Sequence, residues 1–157
     1  MKLGITVGKF YPFHVGHDYL IRSAKAQVDH LVVLVGDKPT QQVAGHVRAG
    51  WIRLMHPDVE VIEALEDIPN ASAPWAKRAL ELLQGRIPDV AFTSEAYGES
   101  WAALMGARHV TIDLQRARFA IFFTPRNTFL VFSCCGLIAL TPSIYNLNDT
   151  EFHQEET

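Results

Sequence analysis

Lys2 to Val7 is a short run of apolar and β-branched residues ending at Gly8, and from His17 to Val28 the residues Leu20, Ile21, Ala24 and Val28 recur at helical spacing. The pattern predicts a strand, a loop and a helix. Leu31 to Val35 is unbroken apolar, as expected for a strand covered by helices on both faces, and Gly36 with Asp37 stops it. A parallel sheet is therefore expected. Val47 to Met55 reads as a second helix and Val59 to Ala64 as a third strand. Pro74 to Leu83 follows as a helix, with proline in its first turn and Gly85 just past its end. Val90 to Thr93 gives a fourth strand, Ser100 to Met105 a short helix closing at Gly106, and His109 to Ile112 a fifth strand. Strand and helix alternate at intervals of about 30 residues or fewer, which predicts an α/β fold built on a doubly wound parallel sheet.

Past Phe119 the pattern changes. Residues 120 to 140 are rich in Phe, Leu, Ile and Cys with little periodicity, whereas Asn146 to Thr157 is polar and acidic and is expected to fray. The apolar stretch Phe129 to Leu140 is 12 residues long, short of the roughly 20 that span a bilayer, so no membrane partner is expected. Two readings of it stay open: a late strand that completes the sheet, or an apolar surface that seeks a partner and so makes a homo-oligomer.

Composition adds bounds. The 157 residues are 48% hydrophobic and 20% charged, ordinary for a globular domain. A chain of this size buries roughly 70% of its unfolded surface and needs no metal or disulfide staple. Cys134 and Cys135 are adjacent, with Cα atoms about 3.8 Å apart, too close for an unstrained bridge. With 14 Lys plus Arg against 17 Asp plus Glu, the net charge of −3 supplies no basic field, so no nucleic-acid partner is expected. The opening MKLGITVGKF lacks the apolar core of a signal peptide, and a cytoplasmic location is the expectation.

The chemistry concentrates in Gly8-Lys9-Phe10-Tyr11-Pro12-Phe13-His14-Val15-Gly16-His17, between the first strand and the first helix. In an open parallel sheet the ligand crevice lies at the carboxyl ends of the strands, where this loop falls. A lone histidine there reads as a surface or capping residue. Two histidines separated by Gly16 at a helix start form a phosphate clamp, because the N–H groups and dipole of a helix N-terminus favour anions. The remaining histidines, His30, His46, His56, His109 and His153, lack neighbours at zinc-ligand spacing, so no metal site is expected. No Gly-x-x-x-x-Gly-Lys-Ser/Thr phosphate loop occurs.

The segment Gly8 to His17 resembles the signature loop of the nucleotidyltransferase superfamily, whose His-x-Gly-His element binds ATP or CTP phosphates. Phe92-Thr93-Ser94-Glu95, Tyr97-Gly98-Glu99 and Leu104-Met105-Gly106-Ala107-Arg108-His109-Val110 are similar to the adenylyltransferase domain of NadR-type nicotinamide mononucleotide adenylyltransferases. The resemblance implies a Rossmann-like nucleotidyltransferase domain over residues 1–121 and an atypical tail over 122–157. It also implies a reaction. The 5′-phosphate of nicotinamide mononucleotide attacks the α-phosphorus of ATP in line, giving NAD and pyrophosphate without a covalent enzyme intermediate. Mg²⁺ arrives with ATP and neutralises the leaving group.

Carried over by motif position, His14 and His17 contact the ATP phosphates, with His17 stabilising the transition state and Lys9 adding charge. The backbone of Gly8 and Phe10 lines the phosphate site, and Gly16 leaves room for the nucleotide. Trp75 is the candidate to stack on the nicotinamide ring, worth about 0.5 to 2 kcal/mol, with core packing as its alternative. Thr93, Ser94 and Glu95 follow a strand and so face the crevice. Tyr97 packs against the nucleotide or against the loop. Trp51 and Trp101 read as packing residues.

The resemblance breaks after Ala120. The family closes its site with Ile-Ser-x-Thr-x-x-Arg, and here the segment is Ile121-Phe122-Phe123-Thr124-Pro125-Arg126-Asn127. Ile121 and Thr124 align, Phe122 replaces the serine, Asn127 stands at the arginine position, and Arg126 falls one place early. Thr124 and Arg126 remain the candidate phosphate ligands of this segment. Losing a charge-assisted phosphate contact costs about 1.5 to 3 kcal/mol, and Pro125 disfavours helical geometry at Thr124. Three functions therefore compete: adenylyl transfer to nicotinamide mononucleotide, nucleotidyl transfer to another phosphorylated acceptor, and nucleotide binding without turnover. Neither the kinase domain nor the DNA-binding helix-turn-helix of some NadR-type proteins is expected, because the phosphate loop is missing and the first strand begins at Lys2.

Overall fold

A computed structural model describes residues 1–112, 119–123, 129–133 and 136–140. The chain divides into two units, Met1–Ala117 and Arg118–Thr157. In the first, β1 (Leu3–Gly8), α1 (Val15–Lys25), β2 (His30–Asp37), α2 (Gly45–Met55), β3 (Glu60–Leu65), α3 (Ser72–Leu82), β4 (Val90–Thr93), α4 (Gly98–Leu104) and β5 (Arg108–Thr111) alternate as the sequence predicts. All five strands are parallel, in the order β3-β2-β1-β4-β5. Helices cover both faces, which makes this a doubly wound, Rossmann-like sheet.

The two faces are read directly from strand alternation. On β2, Leu31, Val33 and Val35 pack with Leu20, Ile21 and Ala24 of α1 and Ala49 and Ile52 of α2. The intervening Val32 and Leu34 pack with Ala76 and Ala79 of α3 and with Trp101 and Ala102 of α4. Burial on both sides explains why Leu31 to Val35 has no polar position. Trp101 is fully buried and Trp51 is half-buried, both on helices.

The helices begin earlier than hydrophobic spacing places them: α1 at Val15 instead of His17, and α2 at Gly45 instead of Val47. Local caps account for both shifts. His14 caps α1 through its own side chain, and Gly45 N–H donates to the carboxylate of Asp37, eight residues upstream, at 2.7 Å. Apolar periodicity carries neither signal.

The described part of the second unit is a separate antiparallel sheet of three strands, β6 (Phe119–Phe123), β7 (Phe129–Ser133) and β8 (Gly136–Leu140), in that order. Phe119 stands opposite Ser133, and Ser133 opposite Gly136. The apolar tail thus pairs with itself. Thr124, Arg126, both cysteines and the acidic end from Asn146 lie outside the described residues.

Candidate functional site

Strand order reverses between β1 and β4, so the crevice of this sheet opens at their carboxyl ends, beyond Gly8 and Thr93. The loops that leave these two strands build its walls.

The β1 loop enters α1 through His14. Its backbone is extended, its carbonyl accepts from the N–H groups of His17 (2.9 Å) and Asp18 (3.1 Å), and its Nδ1 accepts from Gly16 N–H at 3.1 Å. One residue thereby caps three N–H groups of the first turn. An Nδ1 that accepts leaves the proton of the neutral ring on Nε2, so His14 is oriented as an Nε2–H donor. The His14 and His17 rings stack at 3.7 Å between centroids, 22° from parallel. A Cβ on Gly16 would press on the His14 ring at 3.0 to 3.1 Å, so this glycine makes space for the capping imidazole. Phe10, buried and in the left-handed region at φ 48°, meets His17 edge-on at 4.9 Å, and Phe13 packs on the same ring at 5.8 Å. The histidine pair is held on a packed aromatic base.

A buried histidine anchors the other end of this base. His56 ends α2, is 3% exposed, and places Nε2 3.0 Å from the Asp18 carboxylate in the first turn of α1. Burial lowers the His56 pKa despite that carboxylate, and Phe13 lies edge-on against its ring.

Arg48 is the residue that sequence reasoning missed on this side. Fully buried on α2, its guanidinium donates to the carbonyls of Lys9, Gly36 (2.8 Å) and Val43 (3.0 Å), to Asp37 (2.8 Å) and to Gln41 (2.6 Å). It fastens the exit of β1 to the exit of β2, and its partners lie too far along the chain for spacing to reveal them. Lys9 is 57% exposed and lies 4.0 Å from the buried Glu66 carboxylate, which also pairs with Lys38 at 3.3 Å.

On the β4 side the structure brings Thr93, Ser94, Glu95 and Tyr97 into one turn. Thr93 is buried and its hydroxyl donates to the Glu95 carbonyl at 3.2 Å; Ser94 donates to the Ile112 carbonyl. Glu95 and Tyr97 are the exposed members. His109, which the sequence analysis left as a strand residue, sets its Nε2 2.8 Å from Thr93 Oγ1. Trp75 sits in the first turn of α3, half-buried against the cluster that holds Val7. Among the described residues no three His, Cys, Asp or Glu side chains are grouped to hold a metal ion, and no helix is long and apolar enough to cross a membrane.

No protein-family model matches the chain. It is 28% identical over 141 aligned positions to the "Trifunctional NAD biosynthesis/regulator protein NadR" of Escherichia coli, covering 76% of this chain and 34% of that protein. The Salmonella typhimurium protein of the same name is 29% identical over 137 positions, covering 73% and 33%. The chain thus spans about a third of the length of these relatives. Among solved structures, a NadR protein in complex with NAD and AMP-PNP matches with TM-score 0.53 at 19% identity, over 71% of this chain and 37% of that one. A lipopolysaccharide core biosynthesis protein from Thermoplasma volcanium matches with TM-score 0.54 at 19% identity, over 72% and 97%. A bifunctional NMN adenylyltransferase/ADP ribose pyrophosphatase from Francisella tularensis, complexed with AMP, matches with TM-score 0.54 at 14% identity, over 71% and 37%. The chain is thus similar in sequence to the NadR proteins over about a third of their length, and its doubly wound, Rossmann-like fold matches those of these solved structures.

Proposed function

We propose that this chain transfers AMP from ATP to nicotinamide mononucleotide, forming NAD and pyrophosphate. The observation that carries the reading is the stacked His14–His17 pair at the start of α1, beside the β1–β4 switch point. The homology to NadR supports the choice of acceptor. His14 offers Nε2–H to a phosphate oxygen, while His17, seated on Phe10 and Phe13, donates to the oxygens that gain charge as the α-phosphorus becomes pentacovalent. Lys9 and the dipole of α1 add positive potential, and Gly8 and Phe10 form the floor of the phosphate site. Mg²⁺ enters as part of the ATP substrate. Glu95 and Tyr97 face the acceptor, and Trp75 stacks on its nicotinamide. Thr124 and Arg126, the further phosphate ligands of this reading, lie outside the described residues.

A second reading, nucleotide binding without turnover, is favoured by one observation. Ile121 to Phe123, the start of the altered second motif, lies in strand β6 of the antiparallel sheet, paired with Phe129 to Val131. One experiment separates the two. The purified chain is incubated with Mg²⁺, ATP and nicotinamide mononucleotide while NAD and pyrophosphate are followed together, with His17→Ala as control. Stoichiometric NAD and pyrophosphate that fall at least a hundredfold in the control support adenylyl transfer. ATP binding without either product supports the second reading.

A further inference from the structure

We infer that His109 is a positioning residue for the acceptor wall, acting through Thr93 on the turn that carries Glu95 and Tyr97; the acceptor assignment rests on the adenylyl-transfer reading. The argument begins with proton counting. The Thr93 hydroxyl has one hydrogen, and the Glu95 carbonyl 3.2 Å away can only accept, so that hydrogen points to Glu95. The His109 Nε2 at 2.8 Å must then donate to Thr93 Oγ1, which fixes where the imidazole carries its proton. The bonds run in one direction, from His109 to Thr93 to Glu95. The Glu95 carbonyl also accepts Gly98 N–H at 3.2 Å, the bond that closes the turn into α4.

Register explains how the relay forms. Ala91 pairs with His109 and Thr93 with Thr111, so Thr93 and His109 are diagonal neighbours on one face of the sheet. Gly98 covers that contact. A Cβ there would collide with both Thr93 Oγ1 and His109 Nε2, so the relay exists only because α4 approaches through a glycine. Thr93 is 2% exposed, and a donor lost at His109 cannot be replaced readily by water. Glu95 and Tyr97, at the end of the relay, are exposed, and in the adenylyl-transfer reading they face the acceptor.

The test uses the full chain with His109→Phe, which keeps a ring and removes the donor, His109→Gln, which keeps an N–H near the Nε2 position, and Thr93→Val. His109→Phe and Thr93→Val are each expected to raise KM for nicotinamide mononucleotide about tenfold with KM for ATP within twofold. The double variant is expected to be no worse than either single one, and His109→Gln to recover most of the loss. Hydrogen exchange at the Gly98 amide provides a readout independent of turnover: it accelerates in His109→Phe and Thr93→Val and returns toward wild type in His109→Gln. The inference is overturned if both KM values rise together, if the glutamine variant behaves like phenylalanine, or if Gly98 exchange is unchanged. Wild-type protein that forms no NAD overturns the adenylyl-transfer reading, while accelerated Gly98 exchange in His109→Phe would still uphold the relay.

Discussion

The two edges of the same parallel sheet are finished in opposite ways. At the amino edge, the N–H of Lys2 donates to Asp29 and that of Leu3 to Asp89, each at 2.6 Å, and Arg86 grips Glu60 with two bonds of 2.7 Å while His30 meets the same carboxylate at 2.7 Å. Acidic side chains close this edge from outside. At the carboxyl edge the carboxylates of Asp37 and Glu66 turn inward, toward Arg48 and two lysines, and the histidine pair stands at the rim. One edge is neutralised by its own chain, and the other ties Asp37 and Glu66 into scaffolding while Lys9 and Lys38 stay partly exposed. That division suits the phosphorylated substrates of the proposed function.

The comparison can be broken most severely at Arg48. Replacing it with alanine leaves Asp37 and three carbonyls without their shared donor and is expected to cost about 3 to 5 kcal/mol in urea unfolding. Arg48→Lys is expected to recover little, because an ammonium cannot reproduce the planar fork; full recovery by lysine would show that charge alone matters there. Gly98→Ala comes next, at about 1 to 3 kcal/mol, since the added methyl meets Thr93 and His109. A melting temperature equal to wild type would mean that α4 shifts freely, contrary to the packing described.

At the amino edge the largest single effect belongs to Glu60, whose carboxyl the Arg86 guanidinium holds at about 2, against 4.5 in a free side chain. The folded value lies below the unfolded one, so the stabilisation is complete above about pH 4.5 and disappears as pH falls toward 2. Allowing for partial exposure, Glu60→Gln is expected to cost about 1 to 2 kcal/mol at neutral pH and almost nothing near pH 2. Parallel stability curves for the two proteins between pH 5 and 2 would contradict this. The smallest stability effect is expected at His14, where loss of the cap by alanine costs about 1 kcal/mol. His14→Ser should restore the stability without restoring NAD formation, which separates capping from chemistry; recovery of both would assign His14 to capping alone.

Most of the sheet was legible because its strands are short and apolar, although β2 does not stop at Gly36 and Asp37 as expected but runs through them, paired with Ala64 and Leu65 of β3. The histidine loop was legible because its residues are contiguous. Arg48 and His109 were not, for a shared reason: their partners are supplied by the fold, with Lys9 39 positions from Arg48 and Thr93 16 from His109. The placement of Thr93 in the sequence suggested a side chain facing ligand, whereas its hydroxyl works within the protein. For the tail a single late strand completing the main sheet was one of two readings, whereas three strands pair with each other; FAIFF, FLVFS and GLIAL carry almost no polar alternation, and period-two reasoning needs that contrast.

The position of β4 has a consequence for the order in which the molecule is made. Every described partner of Arg48 lies between Lys9 and Arg48 itself, so the histidine loop can be fastened by a nascent chain from which Val90 is still missing. The opposite wall depends on pairing across the chain, with Leu3 waiting for Asp89, 86 residues later. Synthesis from the N-terminus therefore makes the histidine loop and its Arg48 clamp before the residues of the opposite wall, whose strand pairing is long-range. The crevice is a seam between residues made early and residues made late.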